Sequence, residues 1–308
     1  MTVIIALGGN VLIKRGETQS YSVLLRNIKR TCEHLLLIIK NNKTVITFGN
    51  GPEIGYLALQ NEIAGTKFPK MPLDVLGAES QALIGYLLEE QLINFLRRNM
   101  VNKPIATLVT QVLVDKNDRA FRNPTKPIGP FYGKSEAKKL LKKGYRIIHD
   151  ANRGYRRVVA SPKPLLVMEA GIVKNLLDQN IIVIACGGGG IPVTYRGGTL
   201  YGLEAVIDKD LTSACLGRYI RADTLLILTS VPFVYLNYGK KNQRAVKKMN
   251  IYEAQGYLHE GHFGVGSMKP KVEAAIEFLL HGGKKVIITS IQYGYKAFRG
   301  QHGTLIVK

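Results

Sequence analysis

Three apolar runs in this chain each stop at a glycine cluster. Val3-Ile4-Ile5-Ala6-Leu7 ends in Gly8-Gly9-Asn10. Val45-Ile46-Thr47-Phe48 ends in Gly49-Asn50-Gly51-Pro52, and Ile181-Ile182-Val183-Ile184-Ala185-Cys186 in Gly187-Gly188-Gly189-Gly190. Short β-branched runs without polar alternation read as strands buried on both faces, the pattern of a parallel sheet. Glycine just past such a strand lets backbone N–H groups surround an anion, because no Cβ intervenes. Ligands of open α/β sheets sit outside the carboxyl ends of the strands. Three such loops therefore point to one site built from several strand ends, holding a phosphorylated ligand.

The rest of the chain alternates in the same way. Tyr21, Leu24, Leu25, Ile28, Cys32, Leu35, Leu36 and Ile39 recur at helical spacing. Further helices are predicted after Pro52 and over 73–96, 134–143, 168–179, 208–220, 252–259 and 270–281. Strands are predicted at 44–48, 105–114, 181–186, 205–207, 224–228, 285–289 and 304–307. A hairpin is predicted from 145–150 and 156–159, joined by 151–155. The result is an α/β fold with a mainly parallel central sheet. Residues 116–162 read as an excursion from that sheet. A lobe boundary falls near 210–222, dividing the chain into 1–212 and 213–308.

With 308 residues, 46% of them apolar, the chain buries a large core. No uninterrupted apolar stretch reaches the roughly 18 residues of a membrane span. Met1-Thr2-Val3 runs straight into a strand without a basic n-region. Cys32, Cys186 and Cys215 are odd in number and lack metal-type spacing, which fits a reducing cytoplasm. The net charge of +21 is the outlier. Nucleic-acid binding would explain it, but no nucleic-acid motif occurs and Trp is absent; solvated lysine-rich faces explain it more simply. The excess is uneven. Between Lys116 and Lys163 there are 14 Lys/Arg against 3 Asp/Glu (Asp118, Glu136, Asp150), a local +11.

Two lysines sit against helix electrostatics. Asp208-Lys209-Asp210 and Lys269-Pro270-Lys271 each open a predicted helix. A helix N-terminus favours carboxylates and disfavours ammonium groups by ~0.3–1 kcal/mol. The aspartates obey that rule as caps. The lysines make sense where a polyanion arrives, since N–H groups, dipole and ammonium then all face phosphate. No P-loop, dinucleotide fingerprint or nucleophile elbow is present. His259 and His262 are the only close histidine pair, without a third ligand in view. Phosphoryl transfer needs positioning and charge neutralisation more than covalent chemistry, and this inventory fits it.

These residues resemble the carbamate kinases, within the amino-acid-kinase superfamily, over essentially the whole chain. The matching segments include A-L-G-G-N (6–10), G-N-G-P (49–52), P-L-D-V-L-G-A (72–78), N-P-T-K-P-I-G-P-F-Y (123–132), G-G-G-G-I-P-V (187–193), G-x-E-A-V-I-D-K-D (202–210), E-G-H-F (260–263) and G-S-M-x-P-K-V-E-A-A (266–275). The resemblance implies a three-layer α/β/α sandwich and a homodimer acting on small molecules, with neither nucleic acid nor membrane as partner. It implies reversible transfer between ATP and carbamate with Mg²⁺, usually making ATP in arginine fermentation. The excursion is then a protruding subdomain in an acceptor lobe (1–212), and 213–308 the nucleotide lobe.

Residue by residue, the resemblance implies that Gly8, Gly9, Asn10, Gly49, Asn50 and Gly51 line the acceptor site through backbone amides. Gly187 and Gly188 lie on or beside it. Lys209 and Lys271 neutralise phosphate charge, Asp210 holds both lysines, and Lys126 reaches over the substrate from the subdomain. Asp208, Lys209, Lys271, Tyr238 and Met268 belong to the nucleotide side, and no side chains form a dedicated metal site. Three departures stand out: Phe48 in place of His, Thr229-Ser230-Val231-Pro232 in place of Thr-Asp-x-Asp, and Lys269 in place of glycine. A kinase for another acid, such as an N-acetylated amino acid, glutamate or UMP, is the rival within this class. A non-catalytic, basic nucleic-acid- or anion-binding protein that retains the fold is the rival outside it.

Overall fold

Alternate residues of the first strand, β1 (Thr2–Leu7), face opposite sides of a sheet, and both sides are buried. Ile4 and Ala6 join one core, whereas Val3, Ile5 and Leu7 join another. That is why the run carries no polar alternation. The computed structural model describes residues 1–308 except 14–16, 18–19, 66, 151–153 and 265–266, and only the backbone of Asn10, Val11 and Asp150. The predicted hairpin connection at 151–153 therefore lies outside the described residues, as does Gly266.

After β1 come α1 (Gly9–Leu12), α2 (Tyr21–Asn41), β2 (Lys43–Phe48), α3 (Gly51–Ala64), α4 (Leu73–Arg98), β3 (Ile105–Thr107) and β4 (Gln111–Val114). The excursion holds α5 (Arg119–Arg122), β5 (Lys126–Tyr132), α6 (Lys134–Lys142), β6 (Arg146–Asp150) and β7 (Gly154–Val159). Then follow β8 (Pro164–Val167), α7 (Ala170–Asp178), β9 (Ile182–Ile184), β10 (Ile191–Arg196), β11 (Thr199–Gly202) and α8 (Lys209–Ile220). The remainder is β12 (Thr224–Thr229), β13 (Val234–Leu236), β14 (Arg244–Val246), β15 (Lys248–Asn250), α9 (Ile251–His259), α10 (Lys269–Leu280), β16 (Lys285–Ser290), α11 (Gly294–Phe298) and β17 (Thr304–Val307).

Eight strands form the central sheet in the order β15-β17-β16-β12-β1-β2-β9-β3. From β16 to β3 all neighbours are parallel, and β17 pairs antiparallel with β16. Helices α2, α4 and α11 cover one face, and α7, α8, α9 and α10 the other. The fold is a three-layer α/β/α sandwich with a mainly parallel sheet. The chain leaves β4 after Val114 and returns at β8, which pairs antiparallel with β4 in a second sheet ordered β11-β10-β4-β8. Between them β5, β7 and β6 form a three-stranded antiparallel sheet carrying α6. This subdomain rests on α3 through a glycine pair: a Cβ on Gly55 would lie 1.9 Å from the Gly129 backbone.

Two predicted strands differ. The run 105–114 is divided between two sheets, and the cause is a side chain distant in sequence. Gln81, buried on α4, accepts from the Thr110 amide at 3.1 Å and donates to the Thr110 carbonyl at 3.1 Å. The Thr110 hydroxyl takes the Cys186 amide at 2.8 Å. These bonds end the ladder with β9 and send the chain into the second sheet. Residues 205–207 are not a strand. They are apolar because they are buried all the same: Val206 with Ile54, Ile128 and Val159 beneath the subdomain, and Ile207 in the core behind the sheet.

Candidate active site

Strands β1, β2 and β9 are adjacent and parallel, so their carboxyl ends and the three glycine clusters meet at one edge of the sandwich. The amides there are not all free. Gly8 donates to the Leu228 carbonyl at 2.8 Å and Gly49 to the Leu7 carbonyl at 2.9 Å. Those two amides extend the sheet and do not face a ligand, against the expectation. Gly9 opens α1 and Gly51 opens α3, and amides in a helix's first turn have no intrahelical acceptor. The Asn10 side chain lies outside the described residues.

The third cluster is the keystone of the loops. A Cβ on Gly188, at φ +63°, would strike the Asn50 carboxamide at 2.1 Å; one on Gly189 would meet the Ile207 carbonyl at 2.4 Å. The Gly189 carbonyl accepts from the Thr212 hydroxyl of α8 at 2.9 Å. Gly188, against the second loop, and Gly189, against the start of α8, thus bring these two segments together. Asn50 is also held by Ser80 at 2.5 Å. On the other side, Thr47 and Ser213 share a 2.8 Å hydrogen bond, and Ser213 donates to the Lys209 carbonyl at 2.7 Å. The Lys209 side chain passes close to the second loop, its Cδ 3.4 Å from where a Gly49 Cβ would stand.

At this edge lie three lysines and two aspartates. Lys209 and Lys271 each bond a different Oδ of Asp210, Lys271 at 3.0 Å. Lys271 also donates to the Ser267 carbonyl at 3.2 Å. Lys126, at the start of β5, reaches Asp208 at 2.5 Å, while the other Asp208 oxygen caps α8 through the Asp210 amide at 2.9 Å. Burial favours the neutral form of both aspartates. Lys126, Lys271 and Lys209 nevertheless hold Asp208 well below the usual carboxylate range, and Lys209 and Lys271 do so for Asp210. Burial draws Lys209 below the ordinary ammonium range despite Asp210. Burial also works against Lys271, but Asp210 and Asp208 together raise it. The cluster carries one net positive charge at the N-termini of α8 and α10, a setting matched to phosphate.

Tyr238 and Met268 share a cleft of about 240 Å³ with Ser230, Tyr235, His262 and Phe263. Ser267 lines it too and links it to the Lys271 ammonium. Phe263 and His262 lie in the E-G-H-F segment noted in the sequence, to which no role was attached. His262 engages Asn237 at 3.2 Å and Glu260 at 2.8 Å, so both its ring nitrogens have protein partners. The departures are also placed. Phe48, the last residue of β2, is 1% exposed and packs beneath Gly187 into the core shared with α2 and α4. Lys269 points to Glu273 at 3.9 Å on the exposed side of α10 and is not part of the cluster. Among the described residues no group of three His, Cys, Asp or Glu side chains is arranged to hold a metal.

A parallel sheet whose glycine loops and two lysine-bearing helix N-termini converge is the layout of an acid-group kinase. Residues 1–290 match the amino acid kinase family. The chain is 46% identical to the carbamate kinase of Thermococcus kodakarensis over 99% of each chain. It is likewise 46% identical to that of Clostridium perfringens over 100% of each. A solved structure of carbamate kinase from Giardia lamblia bound to AMP-PNP superposes with a TM-score of 0.91 at 42% identity, covering 100% of this chain and 98% of that one. The chain therefore belongs to the amino acid kinase family, in its carbamate kinase branch.

Proposed function

We propose that the protein transfers a phosphoryl group reversibly between ATP and carbamate, giving ADP and carbamoyl phosphate. The observation that carries this reading is the Lys209–Asp210–Lys271 cluster beside the glycine loops, with Lys126 brought down to Asp208 by the subdomain. Carbamate is already an anion and needs no base. What the transfer needs is charge neutralisation around the moving group. Lys209, beside the second loop, serves the transferred phosphoryl, and Lys271, beside the cleft of Tyr238 and Met268, serves the β-phosphate. Asp210 fixes the spacing of these ammonium groups. Lys126 closes over the acceptor, and the first-turn amides of α1 and the Gly51 amide of α3 orient it. Asp208 positions Lys126 and the start of α8.

Mg²⁺ is the expected metal. Asp208 and Asp210 are already paired with lysines, so the donor set suits an ion carried on the nucleotide phosphates, where it shields their charge. In this reading 1–212 is the acceptor lobe and 213–308 the nucleotide lobe. The setting is cytoplasmic, the direction is ATP formation in the arginine deiminase pathway, and the unit is a homodimer. Leu83, Tyr86 and Ile93 support the dimer, as an exposed apolar stripe along α4 near the edge strand β3. The test is ATP formation from ADP and carbamoyl phosphate with Mg²⁺ on a folded sample whose mass in solution is measured in parallel. No turnover would overturn the activity, and a monomer would overturn the assembly.

A further inference from the structure

Away from the lysine cluster, the outer end of the central sheet carries an open cleft of about 510 Å³ between β15, β16, β17 and α11. It shares no lining residue with the nucleotide cleft. Its wall combines three cations, Lys247, Lys248 and Lys285, with the aromatic rings of Phe233, Phe298 and His302, and no carboxylate lines it. None of the three ammonium groups has an ion-pair partner among the described residues. Lys285 stands over the Phe298 ring at 5.3 Å. His302 is stacked between Tyr293, at 3.8 Å, and Phe233, at 4.7 Å, and its Nδ1 is buried without a hydrogen-bond partner.

Surface lysines alone would mean little, but this set lines an open cleft whose volume lies within the roughly 300–1,000 Å³ typical of small-molecule sites. Its floor is apolar and aromatic, and its rim has one sign of charge. Lysines that repel one another around a low-dielectric wall are stabilised by an anion. An aromatic floor adds contact area for a flat body and strengthens a cation placed between two rings. We propose that this cleft is a second ligand site, separate from the catalytic one, for a small aromatic anion: a flat apolar body bearing a carboxylate, sulfonate or phosphate.

The probe is 8-anilinonaphthalene-1-sulfonate, titrated by fluorescence into the full chain with ADP saturating. One saturable site that persists under ADP and weakens as salt is raised is the expected result. Combined Lys247→Glu and Lys248→Glu, both exposed, should weaken the probe by about tenfold or more, as reversing two partly screened charges implies. Circular dichroism and turnover of that variant should stay at the parent level, which separates loss of the site from loss of the fold. Displacement of the probe by ADP, or equal affinity in the charge-reversed variant, would overturn the proposal. Displacement by inorganic phosphate at an ionic strength held constant with chloride would overturn its aromatic part.

Discussion

Glu53 should make the protein less stable as pH rises from about 4.5 toward neutrality. It lies in the first turn of α3, directly after the Gly49-Asn50-Gly51 loop, and is 3% exposed. Neither carboxyl oxygen meets a hydrogen-bond partner. Burial pushes the group from an ordinary 4.5 to about 7, with its own backbone amide pulling partly back. Over that interval the folded state holds a proton that the unfolded chain has released, so stability falls with pH. The penalty is absent below about pH 4.5, accumulates up to about 7 and is constant above. A difference of that size amounts to about 3 kcal/mol. Glu53→Gln keeps the shape and removes the titration. Urea unfolding of both proteins at one concentration, from pH 4.5 to 8.5, should show equal stabilities at the acid end. The variant should pull ahead by about 3 kcal/mol at pH 8. Asp208 and Asp210, whose lowered carboxyls lose stability toward acid, affect both proteins alike and cancel in the comparison. A gap that does not change with pH would refute the reasoning, because it would mean that Glu53 is solvated or paired.

Lys209→Ala and Lys271→Ala should each lower kcat by ~10²-fold or more while the fold persists, as removal of a preorganised charge implies; near-parental turnover in either would cancel its role. Lys126→Ala breaks the 2.5 Å pair with Asp208 and should raise KM for carbamoyl phosphate by about tenfold with a smaller change in kcat, reflecting lost positioning. An unchanged KM would show that the subdomain does not close on the substrate. Gly55→Ala places a methyl group 1.9 Å from the Gly129 backbone. Backbone cannot yield as a side-chain tip does, so thermal unfolding should show a loss of at least ~1–3 kcal/mol, and limited proteolysis should cut first within 116–162.

What the sequence made legible is what obeys or breaks a local rule. The buried strands were legible because β1 and its neighbours are covered on both faces, which leaves an unbroken β-branched run. Residues 105–114 were misread because their break is made by Gln81, 29 positions away in the chain. Ala205–Ile207 were misread because burial under a subdomain and burial in a sheet select the same apolar residues. The free amides were misassigned at Gly8 and Gly49 because only strand pairing reveals which loop N–H groups the sheet consumes. The lysines were legible for the opposite reason, as violations of helix electrostatics, and here the rule flags a turn but not a residue. Lys269 and Lys271 open the same helix, yet two positions along a helix turn the side chain by about 200°. Lys271 meets Asp210, and Lys269 faces out to Glu273. Which ammonium joins the cluster is decided by the phase of α10 against α8, a tertiary fact that neither helix states alone.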